Sequence, residues 1–198
     1  MHLSYALALT KGTLANPTAK DNDGAQLVGR LGLQPAMGLK LGLSGAYGLY
    51  MNDGIERARD FPTGQTAESF NRIIFGVDLE YTRGLIELYA EAVRNEWEVP
   101  NLEENSLGST GGYIEGRYTF YPGAYWALRY GRLGFDKIAA GQGGKEPWDY
   151  TVQRVETGLG YYLDRNVRLK LVTQLNFKED FPGKKEEHLV SVQVASTF

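Results

Sequence analysis

The chain has 198 residues, 25 of them Gly and 13 Tyr, no cysteine, two histidines (His2 and His188) and a formal charge of −3 from 21 Lys+Arg against 24 Asp+Glu. This excludes disulfide scaffolds, zinc knuckles and thiol nucleophiles, the strongly basic balance of a nucleic-acid binder and, because no run of about 18 apolar residues exists, a transmembrane helix. The length admits one domain, 1–198, and glycine with aromatics in this abundance marks all-β barrel chains.

Period-two alternation predicts ten strands. Residues 2–10 carry Leu3, Tyr5, Leu7 and Leu9 on one face, 25–33 carry Leu27, Leu31 and Leu33, and 37–50 carry Leu39, Leu41, Leu43, Tyr47 and Leu49. Next come 70–82 (Ile73, Phe75, Val77, Leu79, Tyr81), 85–97 (Ile86, Leu88, Ala90, Ala92), 112–121 (Ile114, Tyr118, Phe120) and 124–135 (Trp126, Leu128, Tyr130). The last three are 150–163 (Val155, Leu159, Tyr161), 167–177 (Val167, Leu169, Leu171, Leu175) and 187–198 (Val190, Val192, Val194, Phe198). Each is about the 9–11 residues that a tilted strand needs to cross a bilayer. Met1 leads straight into the first run, so a signal peptide is expected to have been removed, or the chain to be a fragment of a larger barrel.

The connections alternate in length. Short turns are expected at Gln34-Pro35-Ala36, Arg83-Gly84, Pro122-Gly123 and Asp164-Arg165-Asn166, and long polar loops at about 11–24, 51–69, 98–111, 136–149 and 178–186. That is the layout of an antiparallel up-and-down transmembrane β-barrel with short periplasmic turns and long extracellular loops. A soluble barrel also alternates, and the charges decide between them. Opposite the apolar face stand Arg30, Lys40, Arg72, Arg117, Arg129, Arg154, Arg168 and Lys170, with Asp78, Glu80, Glu87, Glu91, Glu115 and Glu156. An Arg or Lys at the lipid midplane costs ~2–4 kcal/mol, so in a membrane barrel these side chains point inward. Tyr47, Tyr81, Phe120, Trp126, Tyr161 and Phe198, near run ends, fit interfacial girdles.

Hairpin arithmetic then pairs like charges. Centred on Arg83-Gly84, Glu80 is expected opposite Glu87; centred on Pro35, Arg30 falls opposite Lys40; around Pro122-Gly123, Arg117 and Arg129 lie at similar height. Such pairs are unfavourable unless opposite charges, water or ions compensate. The acids concentrate on one hairpin and the bases flank it, which predicts a field across the lumen. The long loops are acidic overall and the strands hold the surplus of Lys and Arg, compatible with anion preference. Arg94 and Arg132 break the inward parity near the long-loop ends, where they could meet lipopolysaccharide phosphates or snorkel to water.

No catalytic or metal site is expected, and no cofactor. His188 and Ser191 are three apart on a strand and so face opposite ways, while Asp149 or Asp180 could reach His188 only through loop folding. Lys20-Asp21-Asn22-Asp23-Gly24 begins like a calcium loop without its spacing or terminal Glu, and Gly141-Gln142-Gly143-Gly144-Lys145 lacks both ends of a phosphate loop; they are read as a turn and a flexible tip.

The stretches Tyr5-Ala-Leu-Ala-Leu-Thr-Lys-Gly12, Lys20-Asp-Asn-Asp-Gly24, Val28-Gly-Arg-Leu-Gly-Leu-Gln-Pro35 and Gly42-Leu-Ser-Gly-Ala-Tyr-Gly48 resemble the phosphate-selective porin O and P family, in its C-terminal part. The terminal strand ending in Phe198 resembles the signal that outer-membrane porins present to the barrel-assembly machinery. The resemblance implies a homotrimer of sixteen-stranded barrels in the Gram-negative outer membrane, with an arginine and lysine pathway for anions. Both lines lead to a channel for passive diffusion of small hydrophilic solutes, anion-preferring, in contact with outer-membrane lipid and lipopolysaccharide and without a nucleic-acid partner. The alternative is a closed ten-stranded barrel filled with salt bridges, acting through its loops as an adhesin or receptor, or as a surface protease. Eight strands leave room only for side chains and sixteen leave a channel.

Overall fold

Alternating residues reach two different environments only in extended backbone, where successive side chains point to opposite faces. A computed structural model describes residues 1–11, 24–51, 61–100, 102, 106–140, 143–179 and 186–196. It contains twelve strands: β1 (His2–Lys11), β2 (Ala25–Ala36), β3 (Leu39–Leu49), β4 (Asn71–Arg83), β5 (Ile86–Glu98), β6 (Ser106–Tyr121), β7 (Ala124–Phe135), β8 (Lys137–Ala140), β9 (Gly144–Pro147), β10 (Val152–Tyr162), β11 (Val167–Lys178) and β12 (Glu186–Ser196). Ten form one antiparallel up-and-down sheet in the order β1-β2-β3-β4-β5-β6-β7-β10-β11-β12, and β8 pairs with β9. Among the described residues no pairing joins β1 to β12, and nearly every residue of these two strands is exposed, whichever face it occupies.

Register carries the apolar residues across the sheet in rows. Leu9 faces Leu27, Leu27 faces Tyr47 and Tyr47 faces Ile73. These rows are on the surface: Leu9 is 74% exposed and Ile73 50%. Among the described residues the buried hydrophobics are only Met51, Ala67, Phe70 and Tyr125. A wall whose large apolar side chains face out while its charges share the other, more shielded face has the polarity of an outer-membrane barrel, with lipid as the outer solvent.

Turn geometry corrects the expected register at two hairpins. β2 runs on through Pro35 with an irregularity between Leu33 and Ala36, and the turn falls at Met37-Gly38. The β4–β5 turn falls at Gly84-Leu85, closed by Arg83 opposite Ile86. The physical reason is backbone conformation: Gly38 and Gly84 adopt φ of 81° and 60°, which L side chains avoid, so the glycine rather than the proline marks the turn. Glu80 therefore opposes Tyr89 and Glu87 opposes Thr82, while Arg30 opposes Ser44 and Lys40 opposes Glu80. Arg117 faces Ala127 and Arg129 faces Glu115, two pairs further along.

The loop between β5 and β6 is shorter than expected, because β6 begins at Ser106. The long loop expected at 136–149 holds the β8–β9 hairpin instead. The hairpin is tied down where Asp136 N donates to Gly108 O (2.9 Å) and Trp148 N to Asp136 O (3.1 Å). Trp148 also donates from Nε1 to Gly108 O (2.8 Å) and packs edge-on against Phe135 and Trp97, with ring centroids 4.6 and 6.1 Å away. A second anchored connection follows β3, where a 3-10 turn over Ala67–Ser69 packs Ala67 and Phe70 against Met51, with Tyr50 and Phe61 alongside. Burial of Tyr50, then the charge of Glu98, pushes its hydroxyl up to about 12.

Candidate functional site

The fourteen charged residues expected opposite the apolar rows all lie on the polar face, and the register sorts them into two walls. On β2 to β5 stand Arg30, Lys40 and Arg72 with Asp78, Glu80, Glu87 and Glu91, three bases to four acids. On β6 to β11 stand Arg117, Arg129, Arg154, Arg168 and Lys170 with Glu115 and Glu156, five bases to two acids.

On the first wall two of the three bases have a carboxylate of their own. Arg30 makes a bidentate pair with Asp78, both bonds 2.7 Å, and Lys40 Nζ lies 2.8 Å from Glu80. The Arg30–Asp78 pair spans from β2 to β4, across the whole of β3. Neighbouring strands are about 4.8 Å apart, so the two side chains must meet above the middle strand, and a glycine there leaves the room. A Cβ added at Gly42 would collide with Asp78 Oδ2 and Arg30 Nη2. The true like-charge opposition on this wall is Asp78 against Glu91, and Arg30, reaching from two strands away, is what compensates it. These side chains, with Tyr89 and Tyr113, line a cleft of about 230 Å³.

On the second wall cations outnumber their partners and rest on aromatic rings. Arg117 reaches Glu87 (3.2 Å) and Glu115 (3.3 Å) and lies 4.8 Å from the centroid of Tyr125. Tyr125 is buried because it packs over Gly160, its partner on β10, so a glycine again makes the room. Arg129 sits 3.7 Å from the centroid of Tyr113 and only 3.9 Å from the nearest oxygen of Glu115. Arg154 is held by Asn176 (2.9 Å) and, at 3.6 Å, by Glu156. Arg168 touches the Tyr162 hydroxyl at 3.3 Å, and among the described residues Lys170 has no hydrogen bond or ion pair. Arg117, Arg129, Lys170, Glu115 and Glu156 line a cleft of about 190 Å³. Cations held over ring faces keep their charge available to a third group. Near the long-loop end, Arg72 is held by Asn95 (2.7 Å) and lies 5.1 Å from the Trp97 ring.

Arg94 and Arg132 lie on the apolar face, as their parity requires. Arg94 is not free for an external anion: it bonds Asp136 through both terminal nitrogens, one at 2.7 Å, and reaches Glu96 at 3.1 Å. The geometry repeats that of Arg30, because this pair crosses β6 above Gly108, where a Cβ would strike the same two groups. The guanidinium holds the Asp136 carboxyl below the usual carboxylate range. Arg132 is exposed and unpartnered among the described residues. His188 opposes Leu175 and Ser191 opposes Val172, so the register keeps them on opposite faces. Phe198, Asp180 and positions 20–23, 141 and 142 lie outside the described residues.

Sequence reasoning missed the tyrosines. Tyr89, Tyr113 and Tyr125 share the parity of the charges, and that misplacement of aromatics on a polar face was the signal available.

No family model and no curated protein matches the chain. Among solved structures it is similar to one titled "Outer-membrane expressed OmpT of Vibrio cholerae", with a TM-score of 0.54 and 14% identity. The likeness is one of fold. The match takes in 86% of this chain and 53% of that one, so the chain spans about half the length of the solved structure. With the outward apolar rows, it supports reading the sheet as a wall of the outer-membrane barrel type.

Proposed function

We propose that the chain forms part of a porin-like channel in the Gram-negative outer membrane. It would pass small hydrophilic solutes by passive diffusion with a preference for anions, in the manner of the phosphate-selective porins that its sequence resembles. The observation that carries this reading is the five-to-two excess of cations on the β6–β11 wall, with Lys170 unpaired among the described residues and Arg129 resting on Tyr113. A cation already satisfied by a carboxylate offers little to a passing anion, whereas one over a ring face or in open water attracts it. Transport of this kind needs no covalent chemistry and no cofactor, so no catalytic residue is assigned. Lipid and lipopolysaccharide outside, the barrel-assembly machinery and a homotrimeric state belong to the same proposal.

Planar-bilayer recording in a salt gradient tests it. Discrete conductance steps with a reversal potential on the anion-selective side are expected. Absence of steps from protein shown to be inserted overturns the channel reading in favour of a filled barrel acting through its loops. Cation-selective steps overturn the anion preference alone.

A further inference from the structure

Arg132 stands at the edge of a groove in the apolar face that the channel reading does not use. We infer that this groove binds a phosphorylated lipid, its phosphate on Arg132 and its acyl chain along the wall. The inference rests on the membrane reading but not on conduction.

Three observations carry it. First, the groove is a defect in an otherwise bulky wall: Ala92, Gly112 and Gly134 lie between Ile114 and Tyr130, leaving about 490 Å³, a volume in the range of small-molecule sites. Second, Arg132 is the cation at its edge, directly opposite Gly112, and it has no partner among the described residues. An unpaired arginine on a lipid-facing wall is costly except near the interface, and a phosphate ester is the anion whose geometry suits a guanidinium. Third, the acids nearby are already engaged. Arg94 holds Asp136 and Glu96, the Asn71 amide donates to Glu98 (2.7 Å), and Gln153 Nε2 donates to Glu179. Of the two charged side chains that line the groove, Asp136 is held by Arg94, so Arg132 is the one left for an outside group. Arg94 and Arg132, equivalent by parity, differ in this one respect: Arg94 is consumed by the β8–β9 hairpin and Arg132 is not.

The test is retention of phosphatidic acid by protein refolded into phosphatidylcholine vesicles doped with it. The protein is then extracted in mild detergent and weighed intact by native mass spectrometry. Arg132→Gln removes the phosphate contact. Gly134→Leu fills the groove, and it can be made without distorting the sheet, because a Cβ there meets nothing nearer than Thr151 Oγ1 at 3.9 Å. Wild-type protein is expected to carry the lipid, Arg132→Gln to hold about tenfold less, the loss expected for one charge-assisted hydrogen bond, and Gly134→Leu to hold less because the acyl chain loses its groove. Both variants should insert into undoped vesicles as wild type does, scored by heat-modifiable migration.

Equal retention by Arg132→Gln overturns the inference. So does displacement of the lipid by inorganic phosphate, which would make the acyl chain irrelevant, and so does a change of oligomeric state in Gly134→Leu without a change in lipid, which would assign the groove to a second copy. Failure of all three proteins to insert would instead sink the membrane reading, and the same gel tells the two apart.

Discussion

The two clefts on the polar face are built from the same residue types and differ in how the charges are spent. On the wall over β2 to β5, Arg30 and Lys40 each have a carboxylate of their own. In the cleft over β6 to β11, Glu115 is shared between Arg117 and Arg129, and Lys170 has no carboxylate among the described residues. Counting charged residues would call both polar. Counting partners makes the first a structural seam and the second a surface that can receive an anion.

The sharpest way to break this contrast is to invert the open wall. Arg129→Glu with Lys170→Glu should carry the reversal potential from the anion-selective to the cation-selective side. Exchanging Arg30→Asp with Asp78→Arg, which keeps the net charge of the first wall, should leave it nearly unmoved. Next in size is Asp78→Ala, which turns a matched cation into a free one. Anion selectivity should rise, and the thermal midpoint should fall by the equivalent of about 1 kcal/mol, small because both partners are part-exposed. A double-mutant cycle on Lys40 and Glu80 should return a coupling of ~0.2–1 kcal/mol; a larger value would mean that the seam is less wet than its exposure indicates.

Asp136 supplies a prediction in pH. Its carboxyl is held low by Arg94, so the stability it lends is present above the ordinary aspartate value and is lost as pH falls through the depressed one. Trp148 emission, reporting the β8–β9 hairpin, should therefore stay constant from neutral pH down through about 3.9 and change only below it. Arg94→Gln should move that change up into the ordinary aspartate range. The smallest effect is expected from Gly42→Ala. Its Cβ meets only the mobile ends of Arg30 and Asp78, so the pair should be pushed apart with little loss of stability and a slight gain in anion selectivity.

All ten strands of the sheet were legible in the sequence, because alternation is imposed by the two solvents a wall separates and each strand reports it locally. Register was less legible. Pro35 drew the first turn two residues early, and the glycines at 38 and 84, which fix it through φ, look like any other glycine in a chain with 25. The parity of each charge was readable; its partner was not. Arg30 and Asp78 are 48 residues apart, and nothing local says that Gly42 between them clears the way. The β8–β9 hairpin was hidden for a related reason: it is held by Trp148, Phe135 and Gly108, a cluster of residues distant in the chain.

The unjoined margins of the sheet have a consequence of parity. Every strand reverses the sense of the one before it, and ten is even, so β1 and β12 run in opposite directions. Among the described residues each margin is a row of unpaired backbone donors and acceptors, which hydrocarbon does not tolerate. Antiparallel order at both seams admits only an even number of additional strands, zero included, whether they come from the same polypeptide or another, and a ring closed in that way is even-stranded.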